Sequence, residues 1–260
     1  MGAPEATTVL SSGVLTLTLN RPAQLNAMTP SMVELIIEAT VEARQSGARA
    51  FLVRAEGRGF CAGRDLTGSQ PGVEDGGEVL RHIFNPMVRA VADLAIPTIA
   101  AVQGACLGTG LGLALACDVL LVADTAKISS PFGRIGAVLD SGGHKGLVDR
   151  LGSAVAMDLI YSGRTLTGVE AAAAGLASRA IPEAKLTAVA SDYAAQVAQG
   201  PVLAFAESKR LVRALSDSAM SLEVILYAEA AAQTRSSRTA DYAEGFTAFL
   251  ERRTPTFTGE

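Results

Sequence analysis

Tryptophan is absent from this chain of 260 residues, histidine occurs only as His82 and His144, and cysteine only as Cys61, Cys106 and Cys117. No CxxC pair and no histidine pair at zinc-ligand spacing can be assembled from so few donors, which argues against metal catalysis. An odd, sparse cysteine count fits a reducing compartment, where a buried thiol packs as a small apolar side chain. Positive charge is also short: Lys plus Arg total 22 against 26 for Asp plus Glu, a net charge of -4. With no basic run interleaved with aromatics, nothing in the chain is suited to tracking a phosphate backbone, so no nucleic acid is expected as partner. Long apolar runs are missing too. Each is cut by Gly, Gln or Asp before it reaches membrane-spanning length, and Met1 to Ser12 lacks the basic start and apolar core of a secretion signal, so a cytoplasmic protein is expected. What the chain has is 49% hydrophobic residues, enough for one sizeable core or one domain with a helical appendage.

Along the chain, Val14 to Leu19 alternates with the two-residue period of a strand, expected to be the first and stopped by Asn20-Arg21-Pro22. Thr29 followed by Pro30 is a cap and a first-turn proline, and a helix is predicted to Arg44, closed by Gly47. Ala50 to Arg54, Pro97 to Val102 and Val119 to Ala123 read as short buried strands, with a helix over Leu113 to Cys117. Gly68 to Gly77 reads as a polar, mobile loop. Beyond Gly142 the pattern is mainly helical, with a capping box at Thr167-x-x-Glu170 and an apolar stripe over Leu203 to Leu215. The alternation of strands and helices predicts an α/β fold.

Two glycine-rich strand-to-helix junctions carry the chemical interest: Phe60-Cys61-Ala62-Gly63-Arg64-Asp65-Leu66, and Gln103-Gly104-Ala105-Cys106-Leu107-Gly108-Thr109-Gly110-Leu111-Gly112. Free backbone N–H groups at a helix start favour a negative oxygen, and glycine lets a ligand approach the backbone. Either junction alone is better read as a tight turn. Together with Asn20-Arg21-Pro22, Leu25-Asn26-Ala27, Pro97-x-Ile99-Ala100-Ala101-Val102-x-Gly104, Ala116-Cys117-Asp118, Ser141-Gly142-Gly143, Ser162-Gly163-Arg164 and Glu244-Gly245-Phe246-x-Ala248-Phe249, they follow one order over nearly the whole chain. In that order the chain resembles the crotonase, or enoyl-CoA hydratase/isomerase, superfamily.

The resemblance implies a spiral of ββα units over residues 1–195 and a helical C-terminal region over 196–260 that assembles trimers, often paired into hexamers. It implies an acyl-CoA thioester as substrate, CoA being part of that substrate and no separate cofactor being needed. By position, the oxyanion-hole amides fall on Arg64 and Thr109. The branched side chain of Thr109 departs from the usual small residue there. CoA contacts are implied for Ala23, Gln24 and Leu25, for Ala62, Asp65 and Leu66, and for Arg252 of a neighbouring chain. An oxyanion hole suits thioesters because the developing enolate charge sits on one oxygen, where fixed amides strengthen as the transition state forms.

Hydratase members add water with two glutamates, and the matching positions here are Gly112 and Phe132. An aspartate stands instead in Leu139-Asp140-Ser141-Gly142-Gly143, as in certain dienoyl-CoA isomerases, ring-epoxide isomerases and chlorobenzoyl-CoA dehalogenases. Asp140 is therefore the candidate acid/base, with Phe132, Leu139 and Gly112 at the acyl pocket and an apolar lining of Phe132, Leu139 and Val138 expected to raise its pKa. The plainer alternative for Asp140 is a helix N-cap. Asp65 and Asp118 read as structural. His144, four residues after Asp140, reads as an exposed helix residue, and a Ser141–His144–Asp140 triad is too tightly spaced to converge on one substrate atom. The expected activity is isomerase or lyase-like; the alternative is an acyl-CoA binding protein that has lost both glutamates.

Overall fold

The computed structural model describes residues 3–67, 69 and 73–260. Strands β1 (Ala6–Ser11), β2 (Val14–Leu19), β3 (Ala50–Ala55), β4 (Thr98–Val102), β5 (Ala105–Leu107), β6 (Val119–Ala123), β7 (Lys127–Ser129), β8 (Leu166–Thr167) and β9 (Arg179–Ile181) divide between two sheets. The larger has the order β1-β2-β3-β4-β6-β9 and the smaller β5-β7-β8. All pairings are parallel except β1 with β2 and β7 with β8. The helices are α1 (Pro30–Gln45), α2 (Gly76–Val79), α3 (Asn85–Ala92), α4 (Thr109–Ala116), α5 (Gly143–Ser162), α6 (Gly168–Ala173), α7 (Leu186–Ala198), α8 (Val202–Asp217), α9 (Leu222–Ser236) and α10 (Ala240–Glu251).

The expected spiral is plain in the order of these elements. Each turn lays one strand in the large sheet, one pairing in the small sheet and then a helix: β4-β5-α4, followed by β6-β7-α5. The earlier turns shrink the second strand to single bridges. Met28 pairs with Arg64 between β2 and α1, and Cys61 pairs with Cys106 between β3 and α2. Each helix thus starts where a chain leaves the small sheet, which gathers the helix starts at one edge.

Leu15, Leu17 and Leu19 of β2 are buried, yet so is Thr18 between them, because β2 is an interior strand of a mixed sheet, between β1 and β3. Thr18 Oγ1 is satisfied by Arg54 Nε at 3.0 Å. α1 begins as expected, with Thr29 Oγ1 accepting from Met32 N at 3.0 Å. α7 buries Leu186, Ala190, Ala194 and Ala198, a stripe at four-residue spacing whose small side chains let it lie close on the sheet. The C-terminal region expected from residue 196 begins in the last turn of this helix. α8 buries no residue fully; it is held through Lys209 Nζ, 2.7 Å from Asp118 Oδ2, and Arg213, 3.1 Å from Asp118 Oδ1.

Two sequence expectations are corrected. β2 is not the first strand: β1 precedes it across a Ser12-Gly13 turn whose residues have φ of 50° and 76°. The helix expected over Leu113 to Cys117 starts four residues earlier, at Thr109. The loop expected over Gly68 to Gly77 lies partly outside the described residues, and its end, Gly76-Gly77, opens α2 under an Asp75 cap. The capping box at Thr167 and Glu170 is complete. No helix among the described residues is long and apolar enough to cross a membrane.

Candidate active site

The two glycine junctions lie against each other. A Cβ on Gly63 would stand 3.2 Å from the carbonyl oxygen of Leu107 and 3.9 Å from Gly108 Cα, so glycine is what lets these backbones touch. Gly63 has φ of 102°, and its carbonyl accepts from Met28 N at 2.8 Å while Asp65 N donates to Met28 O at 2.8 Å. Because successive amides of an extended chain point to opposite sides, Arg64 N faces away from Met28. It has no hydrogen-bond partner among the described residues.

Gly108 caps α4 with φ of 53° and ψ of -125°, a conformation open to glycine alone, and it brings no side-chain cap. The first helical bond closes from Gly112 N to Gly108 O at 3.1 Å, so the amides of Thr109, Gly110 and Leu111 are left to the helix start. Thr109 is buried, so its branched side chain packs into the protein. The Arg64 and Thr109 amides thus belong to neighbouring segments, both at helix-start or bridge positions without internal partners, with the positive end of the α4 dipole behind one of them.

Asp140 lies in a turn that packs on the same helix, α4. A Cβ on Gly112 in α4 would meet Ser141 O at 2.4 Å and Ser141 Cβ at 2.5 Å, so the Asp140-Ser141-Gly142 turn is packed directly on α4. Ser141, with φ of 53°, and Gly142, with φ of 76°, are both left-handed. The N-cap of α5 is Gly142, without a side-chain cap, so the reading of Asp140 as a helix cap is overturned. The Asp140 carboxylate accepts instead from Ser141 Oγ at 2.7 Å. Burial raises the Asp140 pKa above the ordinary carboxylate value, opposed by the Ser141 hydroxyl, the Arg64 guanidinium and His144. His144 is exposed, as expected.

Phe132 is half-buried in a 3₁₀ turn over Pro131–Ile135, and its ring tip would be 3.5 Å from a Cβ on Gly108. Leu139 is buried, its side chain packed beneath Gly143, whereas Val138, expected in the apolar lining, stands out into solvent, as does Ile135. The Arg64 side chain runs to Glu74, 2.7 Å away, and to Ser69 Oγ, 3.3 Å away. Neither Glu74 nor Ser69 stood out in the sequence, where a ten-residue separation in a polar segment carries no periodic signal.

The residues expected at CoA are split between two adjacent loops and a distant helix end. Ala23 and Gln24 are exposed in a short 3₁₀ turn, and Leu25 accepts from Ala62 N at 3.0 Å. Asn26 fixes that loop: fully buried, it donates to Glu56 O and Gly59 O at 2.9 and 2.8 Å and accepts from Arg21 N at 2.7 Å. Asp65 is paired with Arg21 at 2.9 Å and accepts from Thr67 N at 2.9 Å; hydrogen bonds from Thr67, then from Arg21, lower its pKa to about 2. Leu66 is exposed. Arg252 closes α10 with φ of 55°, its exposed guanidinium unpaired among the described residues. Asp118 is structural, accepting from both Thr98 N and Thr98 Oγ1 at 2.9 Å besides its Lys209 and Arg213 pairs.

This geometry has close counterparts. The chain is 36% identical over 251 residues to a "Probable enoyl-CoA hydratase" of Rhodobacter capsulatus, covering 96% of each. It is 34% identical over 259 residues to the 1,2-epoxyphenylacetyl-CoA isomerase of Escherichia coli, covering 96% of this chain and 97% of that one. It superposes on the crystal structure of an enoyl-CoA hydratase from Bacillus anthracis with a TM-score of 0.90 at 27% identity, covering 98% of this chain and 100% of that one. The profile of the enoyl-CoA hydratase/isomerase family matches residues 10–260, and the chain belongs to that family.

Proposed function

We propose that this protein is an acyl-CoA isomerase in which Asp140 is the single acid/base and the Arg64 and Thr109 amides hold the thioester oxygen. The observation that carries this reading is the contact between Gly112 and Ser141. Where two-glutamate relatives carry one glutamate, this backbone leaves no room even for a Cβ, 2.4 Å from Ser141 O. The space is taken by the turn that presents Asp140. The other glutamate position holds the apolar ring of Phe132.

In the proposed reaction the ionised Asp140 takes a proton from carbon made acidic by the thioester. The electron pair moves through the new double bond onto the thioester oxygen, where the two amides receive it. Protonated Asp140 then returns its proton to a different carbon, shifting a double bond or reshaping a ring, and no water is consumed. Its raised pKa makes the carboxylate a stronger base for the first half-step, and the same carboxyl, once protonated, is the acid of the second. The kinship to 1,2-epoxyphenylacetyl-CoA isomerase supports ring-bearing acyl groups as substrates. The exposed Leu222, Tyr227, Phe249 and Leu250 of the C-terminal helices support assembly into trimers or dimers of trimers through that region.

The test is the product formed from a panel of enoyl-CoA and aryl-CoA esters. Isomerised product of unchanged mass is expected, with turnover falling roughly a hundred- to ten-thousand-fold in Asp140→Asn. Hydrated product as the main species, or full turnover by Asp140→Asn, would overturn the reading.

A further inference from the structure

We propose that Ser141 is the positioning residue of the general base: its hydroxyl holds Asp140 Oδ1 and leaves Oδ2 as the one oxygen that carries the proton. The proposal rests on the reading of Asp140 as base. Ser141 Oγ donates to Asp140 Oδ1 at 2.7 Å, and neither carboxylate oxygen has another hydrogen bond among the described residues. The two residues open a tight turn, closed by Gly143 N on Asp140 O at 2.8 Å, with Ser141 at φ of 53° and Gly142 at φ of 76°. Both corners of such a turn favour glycine, asparagine or aspartate, so serine is a costly choice for the backbone. Nor does it serve as a helix cap, because the cap of α5 is Gly142, without a side-chain bond. What serine brings to this corner, and glycine would not, is the hydroxyl.

That hydroxyl is confined to its partner. Ser141 is 3% exposed, and its Cβ and carbonyl are pressed on α4 at Gly112. A hydroxyl donates one hydrogen, and here it goes to the carboxylate, whose ionised form it favours. When Oδ2 takes the substrate proton, Oδ1 becomes the carbonyl oxygen of the acid and still accepts the same hydrogen bond. The carboxyl plane is thus held from the first half-step to the second, and the proton returns from the oxygen that took it. Two charges also act on this carboxyl, Arg64 from the segment after β3 and His144 of α5, each with a smaller effect than the hydroxyl. The helices packed on the turn meet it through uncharged residues, α4 through Gly112 and α3 through Val88.

The test is kcat, KM and kcat/KM against pH for wild type, Ser141→Ala, Ser141→Gly and Asp140→Asn, using an ester the wild type turns over. Ser141→Ala keeps the Cβ against α4 and the left-handed strain, Ser141→Gly relaxes both, and each removes the hydroxyl. Both are expected to lower kcat at pH 8 roughly tenfold with KM little changed, less than the hundredfold of a 1 Å misplacement because the carboxylate stays in its turn. In both, the ratio of kcat/KM at pH 5 to that at pH 8 is expected to fall roughly three- to tenfold, since the lost donor favoured the ionised form. Wild-type kcat and pH profile in Ser141→Ala would overturn the proposal. So would losses confined to one of the two variants, or a fall in kcat with the profile unmoved, either of which would make the backbone the cause. Turnover that survives in Asp140→Asn would instead sink the reading of Asp140 as base.

Discussion

Gly112 packs directly on the Asp140 turn, and on the proposed reading this contact bars a carboxylate from its position. A Cβ at this position would stand 2.4 Å from Ser141 O, 2.5 Å from Ser141 Cβ and 3.2 Å from Ser141 C. Ordinary carbon contacts begin near about 3.5 Å, so α4 and the Asp140 turn would have to separate by roughly an ångström, and two of the three atoms met are backbone. Overpacking of this kind costs about 1–3 kcal/mol. In a chain of this size that lowers Tm by roughly 2–4 °C per kcal/mol. The same displacement moves Asp140, and a 1 Å misplacement costs on the order of a hundredfold in rate. Gly112→Ala is therefore expected to lower both Tm and turnover, and Gly112→Glu to do so at least as strongly without gaining hydration of an enoyl-CoA. Thermal unfolding by circular dichroism and product analysis read both. A Gly112→Ala variant with wild-type Tm and turnover, or a Gly112→Glu variant that forms hydroxyacyl-CoA, would refute the reasoning.

Gly108→Ala forces an L side chain to φ of 53° and ψ of -125°, a strain of about 1–3 kcal/mol. Relief by rotating the Thr109 amide should cost roughly a hundred- to a thousand-fold in kcat, measured against an unchanged aggregation state. Asp118→Ala strips the partner from Lys209, whose side chain is 10% exposed, and should destabilise by about 3–5 kcal/mol in urea unfolding; adding Lys209→Met should recover part of that loss. Asp140→Asn is expected to raise stability at neutral pH. A carboxyl whose pKa is raised on folding binds more protons folded than unfolded, so stability declines as pH rises from the unfolded pKa through the folded one and stays lower above it. The Tm advantage of Asp140→Asn should therefore be present at pH 8 and vanish below pH 3.

The four central strands of the large sheet were legible because they are runs of five or six apolar or alternating residues: Val14–Leu19 and Val119–Ala123 were read to the residue, and Ala50–Ala55 and Thr98–Val102 to within one, whereas the three-residue β9 at its edge was missed. The small sheet was not. β5, β7 and β8 have three, three and two residues, too few to show a period, and they exist only because the spiral returns to the same place. β1 was missed for a different reason: it is an edge strand with mostly half-exposed and exposed residues, and only the Ser12-Gly13 turn betrays it. At the candidate site, Asp140, Arg64 and Thr109 were singled out by the motifs around them. The contacts that give those residues meaning were not, because each joins distant segments. Gly112 against Ser141, Gly63 against Leu107 and Arg64 with Glu74 are facts of tertiary packing.

The central claim is that Asp140 moves protons on carbon. Wild type and Asp140→Asn incubated in heavy water with an ester that both bind, followed by mass spectrometry, test it most directly. The account predicts deuterium at carbon of the recovered ester with wild type and none with Asp140→Asn. Equal incorporation by both, or none by wild type with an ester that demonstrably binds, would contradict it.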